Sequence, residues 1–221
     1  LVELECKKLK PFISPVGEIQ GDFQYKVLEI GSWAGSSAIT FAEAIKKFNG
    51  GRGKVVAVDA WQSFHGEHID KPTLAVMEKA LKEEKIFSLF LHNIKSAGVA
   101  ELVEIKRGWS RDILPALPKE SFDLIFVDGS HFYEDVLLDL QNSALLLKNG
   151  GVLCGDDLEL QFNEADTDVL EKNKHNDSLL DPTTQKKYHP GVTLAVHEFF
   201  GQRVSCWKGF WAMRKKEQNW E

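Results

Sequence analysis

The chain predicts a doubly wound α/β fold, a mostly parallel seven-stranded sheet with helices on both faces and an antiparallel hairpin at its C-terminal end. Three observations predict it. Short continuous runs of Val, Ile and Leu recur along the chain, as strands buried on both faces require. Amphipathic stretches of helical period stand between them, which suits parallel crossovers. Two apolar segments near the end, "QRVSCW" and "GFWAMRKK", are joined by Lys208-Gly209 alone, the signal of a tight hairpin.

The elements follow in order. "KVLEIG", from Lys26, reads as the first strand, and "SSAITFAEAIKKF" places Ile39, Ala42, Ile45 and Phe48 at helical spacing before the stop "NGG". "KVVAVDAW" is the second strand, and "TLAVMEKALKEEKIFSLFLHNIKSAG" is helical material ending at Gly98. "ELVEIKRG" gives a third strand and "SRDILPAL" a short helix; "FDLIFVDG" and "YEDVLLDLQNSALLLKNGG" repeat the unit, and "GVLCGDD" is a fifth strand. Residues 158–189 are polar with little periodicity, too long for an ordinary connection, and read as a lid or substrate loop. The helix "GVTLAVHEFFG" then leads into the closing hairpin, where Trp207, Phe210 and Trp211 are expected to pack.

The chain of 221 residues suits one domain, 1–221, with residues 1–25 as an N-terminal segment. A net charge of −6 speaks against a broad nucleic-acid footprint and for a small-molecule partner. Cys6, Cys154 and Cys206 are odd in number and widely spaced, which fits reduced thiols in a cytoplasmic protein; Cys154 lies in an apolar run and should only pack. No apolar stretch approaches the length that crosses a bilayer, and the first residues do not read as a signal peptide. No membrane contact is expected.

In open α/β sheets ligands lie beyond the carboxyl ends of the strands. Here those ends carry Glu29 and Gly31, Asp59 and Trp61, Gly108 to Arg111, Asp128 to His131, and Asp156 with Asp157. "EIGSWAGSS" sets small residues between strand and helix, where a ligand can approach backbone N–H groups and a helix N-terminus. It supplies G-x-x-x-G, not the dinucleotide pattern G-x-G-x-x-G. Asp59 stands where an acid accepts ribose hydroxyls.

Together "LEIGSWAGSSA", "VDAW", "RGWSRDILP", "FDLIFVDGSH" and "LLLKNGGVLCGDD" resemble a class I S-adenosylmethionine-dependent methyltransferase over residues 26–214. Within that Rossmann-like superfamily the chain is similar to the metal-dependent O-methyltransferases of the catechol type and to bacterial enzymes that tailor sugars and antibiotics. The resemblance implies that Glu29, Gly31, Ser32, Trp33, Gly35 and Ser37 line the cofactor's turn. It makes Asp59 the ribose acid with Trp61 close by, places Trp109, Ser110 and Arg111 beside the adenine, and has Asp128 border the cofactor too. It also implies Asp128, Asp156 and Asp157 as magnesium ligands. His131 falls where catechol-type enzymes place a catalytic lysine.

Several carboxylates in one crevice repel unless a cation pairs them, and an all-oxygen set suits Mg²⁺. Adjacent residues of a regular strand point to opposite faces, so Asp156 and Asp157 must both sit past the strand end to act together. The alternative is that one caps a helix while the other faces solvent. The expected reaction is methyl transfer from S-adenosylmethionine to a substrate hydroxyl, with Asp128 and His131 catalytic, Mg²⁺ lowering the hydroxyl pKa and His131 taking the proton.

His65 and His68 in "FHGEH" read as part of a loop near the cofactor, with His68 a candidate substrate contact; His175, His189 and His197 show no evident partner. Ser130 is read as a turn residue or helix cap. A homo-oligomer stays open, since helices that catechol-type relatives carry before the first strand are replaced here by "PFISPVGEIQGDF", and another subunit could supply them. Two other functions also stay open, a nucleotide-binding Rossmann oxidoreductase and a non-catalytic cofactor-binding module.

Overall fold

The computed structural model describes residues 24–63 and 72–221. Cys6, His65, His68 and the segment "PFISPVGEIQGDF" lie outside the described residues. The described chain forms two compact units, one of residues 24–25 and 32–109 and one of residues 26–31 and 110–221. The class is the expected one, mostly parallel strands with helices between them and antiparallel strands at the C-terminus.

In the first unit α1 (Ser36–Asn49) follows Gly35 and ends at Gly50, whose left-handed φ of 58° lets its N–H cap the Ile45 carbonyl. Its buried face is Ala38, Thr40, Phe41, Ala42, Ala44 and Ile45. Phe48, expected on that face, is 52% exposed, because it lies in the last turn, where Lys47 Nζ sits 5.3 Å above its ring. Strand β2 (Gly53–Asp59) pairs in parallel with β3 (Val103–Arg107), from Val55 opposite Val103 to Asp59 opposite Arg107. The helical stretch after β2 is two helices, α2 (Pro72–Lys82) and α3 (Lys85–Ser96). The break falls at Glu84, which takes a left-handed φ of 55° that no helix interior accommodates.

In the second unit β1 (Tyr25–Ile30, its first residue in the other unit) pairs in parallel with β4 (Phe122–Val127), and β4 with β5 (Leu147–Leu158). Leu28, Leu124, Ile125 and Leu153 are fully buried, as continuous apolar runs predict. The short α4 (Ser110–Ile113) opens the unit's second segment, and α5 (Tyr133–Leu146) connects β4 to β5. Cys154 is fully buried in this core, and burial raises its thiol's pKa.

The segment read as a loop has structure of its own: α6 (Thr167–Lys172) and a small hairpin, β6 (Leu179–Leu180) with β7 (Lys187–Tyr188). Leu160, Leu170 and Tyr188 bury themselves with Leu194 of α7 (Pro190–Phe200). These residues show no common period, so the cluster is invisible to a pattern search.

Strands β8 (Ser205–Trp207), β9 (Gly209–Lys216) and β10 (Asn219–Trp220) are antiparallel, and β9 also pairs with β5. Lys208 and Gly209 both have positive φ, 52° and 90°, the requirement of a type I′ hairpin turn. Phe210 and Trp211 pack as expected, but Trp207 is 49% exposed because the three residues of β8 sit on the outer side of β9.

Candidate functional site

The first unit carries a hub built on Asp59 at the end of β2. Its Oδ2 accepts the Trp33 N–H at 2.8 Å and its Oδ1 the Trp61 N–H at 2.6 Å, while the Trp61 indole N–H donates to the Trp33 carbonyl at 2.7 Å. Trp33 and Trp61 both hold left-handed φ, 43° and 46°, costly for bulky residues unless the surroundings fix them. Asp59 is what fixes them. Burial raises its pKa, and the N–H groups of Trp61, Trp33 and Ser32 offset part of that rise. Three N–H groups do not exhaust the four lone-pair sites of the carboxylate, which leaves room for a ligand hydroxyl.

Trp61 is 1% exposed, with Phe87 and Phe90 each 4.8 Å from its ring. Its indole therefore supports the hub from the core. Ser32 Oγ is buried and has no hydrogen-bond partner among the described residues, and such groups normally find one. That orphaned hydroxyl fits a bound ligand at this turn. Ser37 lies in the first turn of α1, after Gly35, and Trp109 is half-buried.

The second unit holds the other expected residues. Glu29 is fully buried on β1, opposite Phe126. Gly31 follows with φ 89°, and a Cβ there would lie 2.0 Å from the Asp128 carbonyl oxygen. Only glycine lets the two strand ends pass this closely. Ser110 hydrogen-bonds to the buried carboxyl of Asp139, so its hydroxyl ties α4 to α5, and Arg111 is exposed. Ser130 is a turn residue, accepting the Phe132 N–H and donating to Asp135.

Asp128, His131, Asp156 and Asp157 line one narrow cavity of about 10 Å³, together with Val192 and Trp211. The two adjacent aspartates do not lie past the strand end, since β5 runs on to Leu158. Instead the β5–β9 register slips between Gly155 opposite Trp211 and Leu158 opposite Gly209, and Asp157 takes a φ of 66°. This bulge re-aims both side chains, the use to which bulges are put beside functional sites.

Charges in the cavity are strongly coupled. Burial pushes the Asp128 carboxyl well above its usual range, and the negative charges of Asp157, Asp156 and Glu29 push it further, against the pull of His131. Burial would lower the His131 pKa, but hydrogen bonds to Asp157 (Nε2 to Oδ2, 3.0 Å) and Asp177 (Nδ1 to Oδ1, 2.7 Å) outweigh it and raise it to about 10. Burial would likewise raise Asp157, yet its bond to His131 and the charges of His131 and His189 leave it below the usual range.

Three histidines without evident partners in sequence acquire them. His189 is buried, its ring 4.3 Å from that of His131 and its Nδ1 3.2 Å from Glu159. His175 pairs with Glu134 at 3.1 Å, and His197 stacks on Phe162 at 3.9 Å. Asp177 and His189 are site residues that sequence reasoning missed. Forty-six residues separate Asp177 from His131, and no spacing rule reaches that far.

The model of one family, described as "Methyltransferase domain", matches residues 28–158, more than half of the chain. The chain belongs to that family. It is an S-adenosylmethionine-dependent methyltransferase, and the match speaks against the oxidoreductase alternative. A catechol O-methyltransferase of Mycobacterium tuberculosis (strain H37Rv) is 26% identical over 187 residues, covering 84% of this chain and 69% of that protein. Among solved structures, the O-methyltransferase NovP superposes with a TM-score of 0.64 at 15% identity, covering 96% of this methyltransferase and 80% of NovP. CalS11, a TDP-rhamnose 3'-O-methyltransferase, gives 0.53 at 16% identity, covering 96% and 77%. At these identities the two structures bear on the fold alone. No helix among the described residues is long and apolar enough to cross a membrane.

Proposed function

We propose that this methyltransferase transfers the sulfonium methyl group of S-adenosylmethionine to a hydroxyl of a small molecule carrying vicinal oxygens, with Mg²⁺ as its metal. The observation that carries the reading is the cavity shared by Asp128, Asp156, Asp157 and His131. Burial and then the neighbouring negative charges raise the Asp128 pKa; a divalent cation relieves that crowding of charge, and an all-carboxylate donor set fits a hard ion. Asp128, Asp156 and Asp157 would hold it. Bound there, the ion supplies Lewis acidity that makes a substrate hydroxyl easier to deprotonate. The similarity to a catechol O-methyltransferase supports an acceptor with two adjacent oxygens.

The chain's own residues do the rest. The Ser32–Ser37 turn and the Asp59 hub of the first unit bind the cofactor and fix its orientation. Asp177 holds His131 through Nδ1; while both aspartates engage the ring, its pKa of about 10 keeps it protonated, and drawing Asp157 off Nε2 would lower that pKa and free Nε2 to take the acceptor's proton. The narrow cavity leaves little room for water beside these groups, which strengthens each of their charge interactions.

The test is transfer of labelled methyl from S-adenosylmethionine to a panel of diols and catechols. Activity is expected to vanish with a chelator and to return with Mg²⁺. Replacing His131 with Ala is expected to lower kcat by about 100-fold or more with cofactor affinity unchanged. Full turnover in chelator would remove the metal from the reading, and an unchanged kcat would remove His131 as the base.

A further inference from the structure

The same wall of the second unit carries a donor set of different chemistry. His131, Asp157 and His189 each offer a ligand atom, and these three atoms lie within 4.8 Å of one another. We propose that they form a nitrogen-rich site for a transition-metal ion such as Zn²⁺ or Co²⁺, distinct from the all-oxygen set and sharing only Asp157 with it.

Two donors on one tetrahedral zinc-type ion stand about 3.4 Å apart, given bond lengths near 2.1 Å. The pairs in the structure bracket that separation: His131 Nε2 is 3.0 Å from Asp157 Oδ2 and His189 Nδ1 is 3.8 Å from Asp157 Oδ1. Small side-chain rotations would suffice to seat an ion. Imidazole donors select such ions over Mg²⁺, which keeps to oxygen.

A second observation supports the site independently of the distances. Metal-bound histidines usually give their other ring nitrogen to a carboxylate, which orients the ring. His131 has that arrangement, with Asp177 2.7 Å from Nδ1 and Nε2 facing Asp157. On His189 the nitrogen that would face the ion, Nδ1, is the one that lies 3.2 Å from Glu159, so this support comes from His131. His189 is also held rigidly, being buried at the start of α7 and set against the His131 ring.

Because Asp157 belongs to both sets, the two ions exclude one another. That exclusion rests on the magnesium reading above; the existence of the nitrogen-rich site does not.

The experiment is titration of the metal-free chain with Co²⁺, read by visible absorption, and with Zn²⁺, read by ¹⁵N shifts of the histidine ring nitrogens. One equivalent of Co²⁺ is expected to give the intense bands of a low-coordinate site, and Zn²⁺ to shift the ring signals of His131 and His189 together. The His189→Gln and His131→Gln variants are each expected to bind Co²⁺ at least about 10-fold more weakly. His189→Gln should lose the inhibition of methyl transfer by Zn²⁺, each protein being compared with its own zinc-free rate. Ring signals of His131 and His189 that stay in place in the folded wild-type chain would overturn the site, and so would Co²⁺ affinity untouched by both substitutions. Zinc binding without competition from Mg²⁺ would leave the site standing and remove the shared use of Asp157.

Discussion

Asp139 is a carboxylic acid inside α5 with no part in the chemistry proposed, and its burial has a measurable cost. The residue is 2% exposed. Burial raises its pKa from 3.8 to about 7; the Ser110 hydroxyl pulls the other way, and the charge of Asp135 adds to the rise. In the unfolded chain the group ionises near 3.8, so between about pH 4 and pH 7 the folded state holds a proton that the unfolded state has lost. The folded state then binds more protons, and stability falls as pH rises through this window and levels off above it. Each tenfold change in proton affinity is worth about 1.4 kcal/mol, so the whole effect is about 4 kcal/mol, of which roughly 3 kcal/mol falls between pH 5 and pH 8.

The Asp139→Asn substitution isolates this contribution. The amide oxygen still accepts the Ser110 hydroxyl, the volume is unchanged, and nothing ionises. Urea unfolding of both proteins at pH 5 and pH 8 is the assay. The variant is expected to gain roughly 3 kcal/mol on the wild type between the two values, because carboxylates elsewhere titrate alike in both and cancel. A gap that moves by less than about 1 kcal/mol would refute the assignment of the strained proton to Asp139.

Two further outcomes follow from the geometry. Gly31→Ala places a methyl group 2.0 Å from the Asp128 carbonyl at a φ of 89°, so the unfolding free energy is expected to drop by at least about 2 kcal/mol; an unchanged urea midpoint would show that the two strand ends can move apart freely. Leu170→Ala empties the centre of the cluster formed with Leu160, Tyr188 and Leu194, at about 2 kcal/mol or more. Limited proteolysis within residues 159–189 should then quicken by about 30-fold, and equal cleavage of both proteins would show that this cluster does not hold the segment down.

What was legible in the sequence divides along a physical line. Strands β1, β4 and β5 were readable because a strand covered on both faces must be apolar throughout, and the acids at their ends stood out against those runs. The segment 158–189 was not readable. Its core is assembled from Leu160, Leu170, Tyr188 and a residue of the next helix, at spacings set by turns and a two-residue hairpin and not by any helix or strand period. Asp177 and His189 reach His131 only because that core forms. Their partnership is tertiary throughout, so the base proposed at position 131 was visible while the groups packed around it were not.

The placement of Asp156 and Asp157 shows how a distant turn enters the site. Strand geometry alone sends neighbouring side chains to opposite faces, and β5 continues through both residues. The strand opposite settles the matter. The Lys208-Gly209 turn fixes where β9 begins, with Gly209 opposite Leu158, while Trp211 is already opposite Gly155. Two residues of β5 must then share the space facing Phe210 alone, and Asp157 absorbs the extra length by going left-handed at a φ of 66°, a conformation that aspartate tolerates better than most residues. The hairpin thereby decides which way the two carboxylates point, although neither hairpin residue carries any of the chemistry.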